Sequence, residues 1–293
     1  MSQGTIADLL ASGERSYSFE FFPPKDQAGI DQLTRAVEQL VPLRPDFVSV
    51  TYGANGSTRE RTIAATRTIA DRVPLTIMGH LTVAGQSGDE IKAAIDAYAD
   101  AGVRHILALR GDMPGGPQVP FEPHPHGLSN ATELVELVAS RGPFCIGVAA
   151  FPDIHPSGGP ELDVAILAAK EAAGASFAIT QFFFDVSRYV ALIQRLRERG
   201  SALPVVPGLQ PITRIGQLKK FAELSGAALP VSVVSQLEAV SGDDIAVRDV
   251  GAQLGLELAQ QLLAVGAPGL HFFTLNRSGV TREILATLLA DRR

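Results

Sequence analysis

Short apolar runs recur along the chain, each followed by a stretch in which apolar positions return every three or four residues. That alternation predicts repeated strand–helix units, because buried strands are apolar with period two or continuously and helices with a period near 3.6. Eight units can be read, with strands expected over 17–22, 47–50, 75–80, 105–110, 145–150, 177–183, 204–209 and 270–275. Several of these runs are apolar almost throughout, as parallel strands covered on both faces should be. Eight repeats predict an α/β fold of the (β/α)8 or TIM-barrel kind. Such barrels close about 250 residues as one unit, so a single barrel domain over 1–293 is expected.

The segments between the strands carry helix signals. Ser57 with Glu60, Ser87 with Glu90 and Asn130 with Glu133 have the spacing of capping pairs. Gly102, Gly142, Gly174, Gly200, Gly226 and Gly266 close helical stretches, where a left-handed residue ends the helix. Ile30, Leu33, Val37, Leu40 and Val41 form one apolar stripe, expected to pack on the outer wall of the barrel. Residues 113–129, MPGGPQVPFEPHPHGLS, are rich in Pro and Gly and follow the fourth strand, a position for a mobile lid over the barrel mouth. The segment 241–266 is expected to add helix before the last strand.

Composition narrows the class. Apolar residues make up 46% of the chain, yet no unbroken apolar run approaches the ~20 residues of a membrane helix, so no membrane partner is expected. The opening MSQGTIADLLASGERS has no basic leader before an apolar core, which points to a cytoplasmic protein. A lone Cys145 excludes an intrachain disulfide and a thiolate-rich metal site, and reads as a small buried hydrophobe. A net charge of −6 without Lys/Arg blocks argues against nucleic acid and leaves small molecules as partners.

Barrel chemistry takes place at the carboxyl ends of the strands, so polar residues there are the candidates. Glu20 lies in the first strand, Thr51 ends the second, His80 ends the third, and Arg110 and Asp112 follow the fourth. Gln181 sits in the sixth, Gln210 follows the seventh, and Asn276 and Arg277 follow the eighth. Glu20, flanked by Phe19, Phe21 and Phe22, would resist ionisation if it pointed inward, making it a proton donor near neutral pH. The competing possibility is a carboxylate turned outward by strand alternation, or paired with a barrel cation such as Arg110. The run LRGDMP at 109–114 sets a cation, a flexible glycine and a carboxylate at one strand end, suited to holding a polar heterocycle or to a turn with a surface ion pair. His80 reads as a binding residue rather than an acid–base group. His124 and His126 lack accompanying carboxylate or thiol ligands, so no metal is expected. No lysine occupies a strand interior to serve as a Schiff-base nucleophile. No Gly-x-Gly-x-x-Gly follows a strand, so a dinucleotide would bind without a Rossmann unit.

In order along the chain stand SFEFFPPK (18–25), SVTYGANGS (49–57), GHLT (79–82), LALRGD (107–112), ITQFFFD (179–185) and FFTLNR (272–277). Together these motifs resemble the catalytic domain of bacterial methylenetetrahydrofolate reductases. The resemblance implies hydride transfer from a nicotinamide cofactor, NADH in preference to NADPH, through FAD to 5,10-methylenetetrahydrofolate, with the two substrates taking turns in one site. It implies catalytic roles for Glu20, which would protonate the folate, and for Asp112, which would hold the pterin. Gln181, Gln217, Phe221, Leu275 and Arg277 are implied to bind folate or NADH, Phe221 by stacking and Arg277 at the folate tail carboxylates. Thr51, His80, Arg110, Asp112, His155, Asp163 and Lys170 are implied to contact FAD.

Three positions depart from the family pattern. Ile166 stands where a polar amide is usual, Ala169 where an arginine is, and Asn130 where an aromatic is. Asp163, Ile166 and Lys170 are spaced three and four apart, so a shared helical face is expected. Loss of these polar contacts weakens the flavin site and leaves two routes open, through FAD or directly from the nicotinamide. A folate-binding paralogue without catalysis and another pterin-dependent barrel transferase are the alternatives.

Overall fold

The computed structural model describes residues 4–52, 56–73, 75–116, 119–153, 158–277 and 279–290, apart from the side chains of 56–60 and 71. Its strands are β1 (Ser16–Phe21), β2 (Phe47–Val50), β3 (Thr76–Thr82), β4 (His105–Leu109), β5 (Cys145–Ala150), β6 (Phe177–Thr180), β7 (Val205–Val206), β8 (Gly208–Leu209) and β9 (Gly269–Phe273). All pairings are parallel: β1 through β7 pair in chain order, and β9 joins β1 to β8. Only Pro207 separates β7 from β8, so the sheet closes into the expected (β/α)8 barrel.

The expected seventh strand over 204–209 is split because proline has no N–H for the ladder. Val205 and Val206 pair back to β6, Gly208 and Leu209 pair forward to β9, and the carbonyl of Pro207 still accepts from His271 N–H at 3.0 Å. The sixth strand ends at Thr180 rather than 183, since the side chain of Gln181 captures the N–H of Phe182 at 2.9 Å.

The helices are α1 (Ile6–Ala11), α2 (Gln27–Leu40), α3 (Gly56–Arg72), α4 (Gly88–Asp100), α5 (Ala131–Ser140), α6 (Pro160–Ala172), α7 (Val186–Glu198), α8 (Ile215–Ser225), α9 (Val231–Glu238), α10 (Asp244–Ala264) and α11 (Gly279–Ala290). The long α10 is the extra helix expected over 241–266. Ser87 and Glu90 form a reciprocal capping box on α4, and Asn130 accepts from the N–H groups of Thr132 and Glu133 at the start of α5. The Ser57 and Glu60 side chains lie outside the described set. The six glycines expected to end helices all have positive φ. On α2, Leu33, Val37 and Leu40 are buried and Ile30 is partly so, as is Val41 just past its end. In the loop after β4, Phe121 and Leu128 pack against the main core, and the carbonyl of His126 accepts from Gly88 N–H at 2.7 Å. Among the described residues no helix is long and apolar enough to cross a membrane.

Strand alternation divides the barrel side chains into two sets. Phe19, Phe21, Val48, Val50, Ile77, Leu81, Ile106, Ile146, Val148 and Phe272 point outward into the core beneath the helices. Phe47, Met78, Leu107, Cys145, Phe177, Ile179 and Val206 point inward and are capped by Ile6 and Leu10 of α1. The first helix therefore plugs the amino-terminal end of the barrel, and Cys145 is a buried member of that plug with its thiol pushed up by burial. What remains open is the carboxyl end, where the polar residues gather.

Candidate active site

Glu20 points into the barrel, because its neighbours Phe19 and Phe21 occupy the outer core. Its side chain is 11% exposed and meets groups from three other segments. Thr51 Oγ1, just past β2, donates to Oε1 at 3.2 Å. His271 Nε2 of β9 lies 3.3 Å from Oε2, and His80 Nε2 of β3 lies 3.6 Å from the same oxygen. The Glu20 carbonyl accepts from Thr274 through both Oγ1 (2.6 Å) and N–H (3.2 Å). The cation envisaged as its partner, Arg110, is elsewhere: its guanidinium lies 5.2 Å from the centre of the Phe121 ring and donates to Gly111 O at 3.3 Å.

The electrostatics correct one expectation. Burial works against the charge on Glu20, but His80, His271 and Thr51 work for it, and the group is held below the usual carboxylate range. Glu20 is therefore not the carboxyl of raised pKa that its aromatic neighbours in sequence suggested. The phenylalanines that flank Glu20 in sequence lie on the opposite face of the sheet, and the groups it meets come from other strands. Burial pushes His80 down to about 4, so at neutral pH it is an uncharged imidazole and its electrostatic pull on Glu20 is confined to lower pH. Among the described residues neither of its ring nitrogens has a hydrogen-bond partner. The His271 and Thr51 contacts then support the anion.

Sequence reasoning overlooked His271, fully buried and hydrogen-bonded through Nδ1 to Ser18 Oγ at 2.8 Å. Its signal was present: in LHFFTL, period-two alternation sets His271 on the face opposite Leu270 and Phe272. It stacks on Phe47 (centroids 5.9 Å, 19°) and meets the edge of Phe273 (5.5 Å, 89°). Phe273 in turn meets Phe182, and Phe221 of α8 packs against the same small apolar cluster as Phe273. An aromatic wall thus runs from the carboxylate to the rim. Gln217, one turn before Phe221, accepts from Thr213 Oγ1 at 3.3 Å, and Gln181 is half-buried.

The rim is shaped by two turns. Gly111 has φ of 77°, and a Cβ there would come within 2.8 Å of Thr82, so only glycine lets the β4 turn press against the end of β3. The turn presents Asp112 exposed and, among the described residues, without a side-chain partner. After β9, Leu275 and Asn276 both adopt left-handed conformations, φ 51° and 57°. Asn276 uses this bend to clamp Phe22, accepting from its N–H at 2.8 Å and donating to its carbonyl at 2.9 Å, while Arg277 stays exposed. Non-glycine residues held this way mark a backbone over-determined by its surroundings.

A second polar group lies on α6. Asp163 and Lys170 are buried, and Lys170 Nζ approaches Ala149 O at 3.5 Å. Burial pulls Lys170 down to about 8; Asp163 opposes the shift and Arg110 adds to it. Ile166 does not share that inward edge: it is 39% exposed, since an i+3 step from Asp163 rotates it toward the flank. His155 lies outside the described residues. His124 and His126 have ring centres 6.1 Å apart, with His126 N–H donating to His124 Nδ1 at 3.1 Å. No cluster of three or more metal-ligating side chains occurs among the described residues.

A closed (β/α)8 barrel with a buried carboxylate held between strands at its carboxyl-terminal mouth is the architecture of a barrel enzyme. Residues 5–289 match the family model described as methylenetetrahydrofolate reductase. The chain belongs to the methylenetetrahydrofolate reductase family, a family of oxidoreductases. It is 36% identical to the 5,10-methylenetetrahydrofolate reductase of Escherichia coli strain K12 over 277 residues, 94% of this chain and 91% of that one. It is 31% identical to methylenetetrahydrofolate reductase (NADH) 1 of Zea mays, covering 97% of this chain and 50% of the plant protein. Among solved structures, a Clostridium thermocellum protein that binds two copies of 5-methyl-5,6,7,8-tetrahydrofolic acid matches with a TM-score of 0.66 at 13% identity, covering 98% of this chain and 99% of that one. At that identity the likeness is one of fold.

The flavin that the resemblance implies meets only part of its contact set. Thr51, His80, Arg110 and Asp112 stand at the barrel mouth, but the α6 face offers apolar Ile166 and Ala169, both exposed. Lys170 is buried against a backbone carbonyl, and Asn130 spends its side-chain oxygen capping α5. These groups do not fit a pyrophosphate and ribityl chain, which need cations and polar donors.

Proposed function

We propose that this protein reduces 5,10-methylenetetrahydrofolate to 5-methyltetrahydrofolate with NADH, the hydride passing directly from the nicotinamide to the one-carbon unit. The observation that carries the reading is the buried Glu20 carboxyl, held by Thr51 and His271 beside His80 at the barrel mouth. Family membership and the NADH-dependent plant relative support the substrates.

In this reading the reduced pterin enters over Glu20, hydrogen-bonds Asp112 and Gln181, and excludes water. Loss of water raises the cost of the Glu20 charge, so the carboxyl takes up a proton as substrate binds. It gives that proton to the bridge nitrogen that leaves, opening the ring to an iminium. Hydride from the nicotinamide adds to the iminium carbon, the ring of the cofactor becomes NAD+, and Glu20 is left as the carboxylate it was before substrate bound, the single proton consumed having been taken up at binding. The nicotinamide takes the space beside Thr51, His80 and Arg110, with Phe221 stacking on a ring and Arg277 meeting the folate tail.

The direct test is NADH oxidation by purified protein with and without methylenetetrahydrofolate, alongside its visible absorption spectrum. Folate-dependent oxidation without a flavin band is expected. Oxidation that needs no folate, or none at all, overturns the reading, and stoichiometric bound flavin overturns the direct route. Phe221→Ala is expected to raise the KM of the stacked substrate about tenfold with a smaller change in kcat, because an aromatic stack contributes ~0.5–1.5 kcal/mol beyond its buried area. Steady-state kinetics on a variant of unchanged Tm checks this.

A further inference from the structure

We infer that His271 is a positioning residue that holds Glu20 as a carboxylate, and that Ser18 fixes the tautomer in which it does so; the catalytic consequence rests on the reading above. His271 reaches no solvent, and its two nitrogens have one close polar partner each: Ser18 Oγ at 2.8 Å from Nδ1 and Glu20 Oε2 at 3.3 Å from Nε2, with Ser49 Oγ further off at 3.5 Å. An anion at Oε2 selects the tautomer with hydrogen on Nε2, which leaves Nδ1 as acceptor. The Ser18 hydroxyl then donates to Nδ1 in preference to Leu270 O, its more distant acceptor at 3.4 Å.

The ring itself cannot turn away, being stacked on Phe47 and abutted by Phe273. The relay therefore runs Ser18 to His271 to Glu20 along two adjacent strands, β1 and β9, whose register sets Ser18 opposite His271. Among the described residues, the other groups facing the carboxyl are His80 of β3, which makes no hydrogen bond with them, and Thr51 after β2 on the opposite oxygen. His271 is thus the fixed donor on Oε2.

The test titrates Glu20 in ligand-free protein carrying carboxyl-13C glutamate, with the Glu20 resonance assigned by its loss in E20Q. H271F keeps the ring stack and removes the donor; its Glu20 midpoint is expected to rise by about one pH unit or more. S18A is expected to move it the same way by less, and H271Q, which retains an N–H within reach of Oε2, to stay near the parent value. A Glu20 midpoint unmoved in folded H271F, or in folded S18A if H271F does not fold, overturns the inference. The titration uses no substrate, so its failure is separate from failure of the functional reading. In turnover, the alkaline limb of the pH profile should follow the same upward shift in H271F, which a merely structural loss of activity would not produce.

Discussion

Glu20→Gln is expected to lower kcat/KM for methylenetetrahydrofolate reduction by about 10²–10⁴-fold, the usual contribution of a positioned general acid. The amide is nearly isosteric and its single oxygen can still accept from either Thr51 or His271, so the fold and the aromatic wall around the site should persist. What it lacks is a transferable proton. Without that proton the bridge nitrogen leaves as a poor leaving group and the iminium does not form, so the loss should fall on kcat while folate still binds. Rates measured at saturating NADH, with circular dichroism and Tm to establish folding, decide the matter. Folate reduction within a few-fold of the parent would remove Glu20 from its assigned role and leave the reaction without an acid on this barrel.

The carboxylate was findable because a charged residue in an apolar strand is conspicuous, but its surroundings were not. Sequence adjacency suggested an aromatic pocket, whereas pleating sends Phe19 and Phe21 to the helices and brings His80, His271 and Thr51 from distant segments. Barrel closure creates the His271 contact, and closure is a register property between strands whose paired residues lie 253 positions apart. The strand boundaries were well marked except where side chains compete for the ladder, as at Gln181, or where a proline interrupts it, as at Pro207. The α1 plug carried no comparable signal, because a six-residue helix is too short for periodicity to declare itself. Helical spacing alone overstated the unity of Asp163, Ile166 and Lys170, since three positions within one broad arc can still divide between core and solvent.

That division bears on the route of the hydride. If it passes directly, NADH carrying deuterium on the transferred face of its nicotinamide should deliver the label to the new methyl group nearly stoichiometrically, while NADH labelled on the other face delivers none. Initial rates measured with both substrates varied should intersect, because folate and NADH must occupy the barrel mouth together for carbon-to-carbon transfer. Release of label to water with parallel initial-rate lines would instead require an exchangeable carrier, and the direct route would fall. The physical ground for expecting retention is local to α6: at the positions implied to hold the flavin's pyrophosphate, Ile166 and Ala169 offer no charge, and each missing charged hydrogen bond removes about 1.5–3 kcal/mol of affinity. The polar groups at the mouth are undiminished by comparison. A site that keeps its ring-binding half and loses its phosphate-binding half is suited to a reduced nicotinamide ring lying against the pterin, with Phe221 and the Phe182–Phe273 pair closing one side.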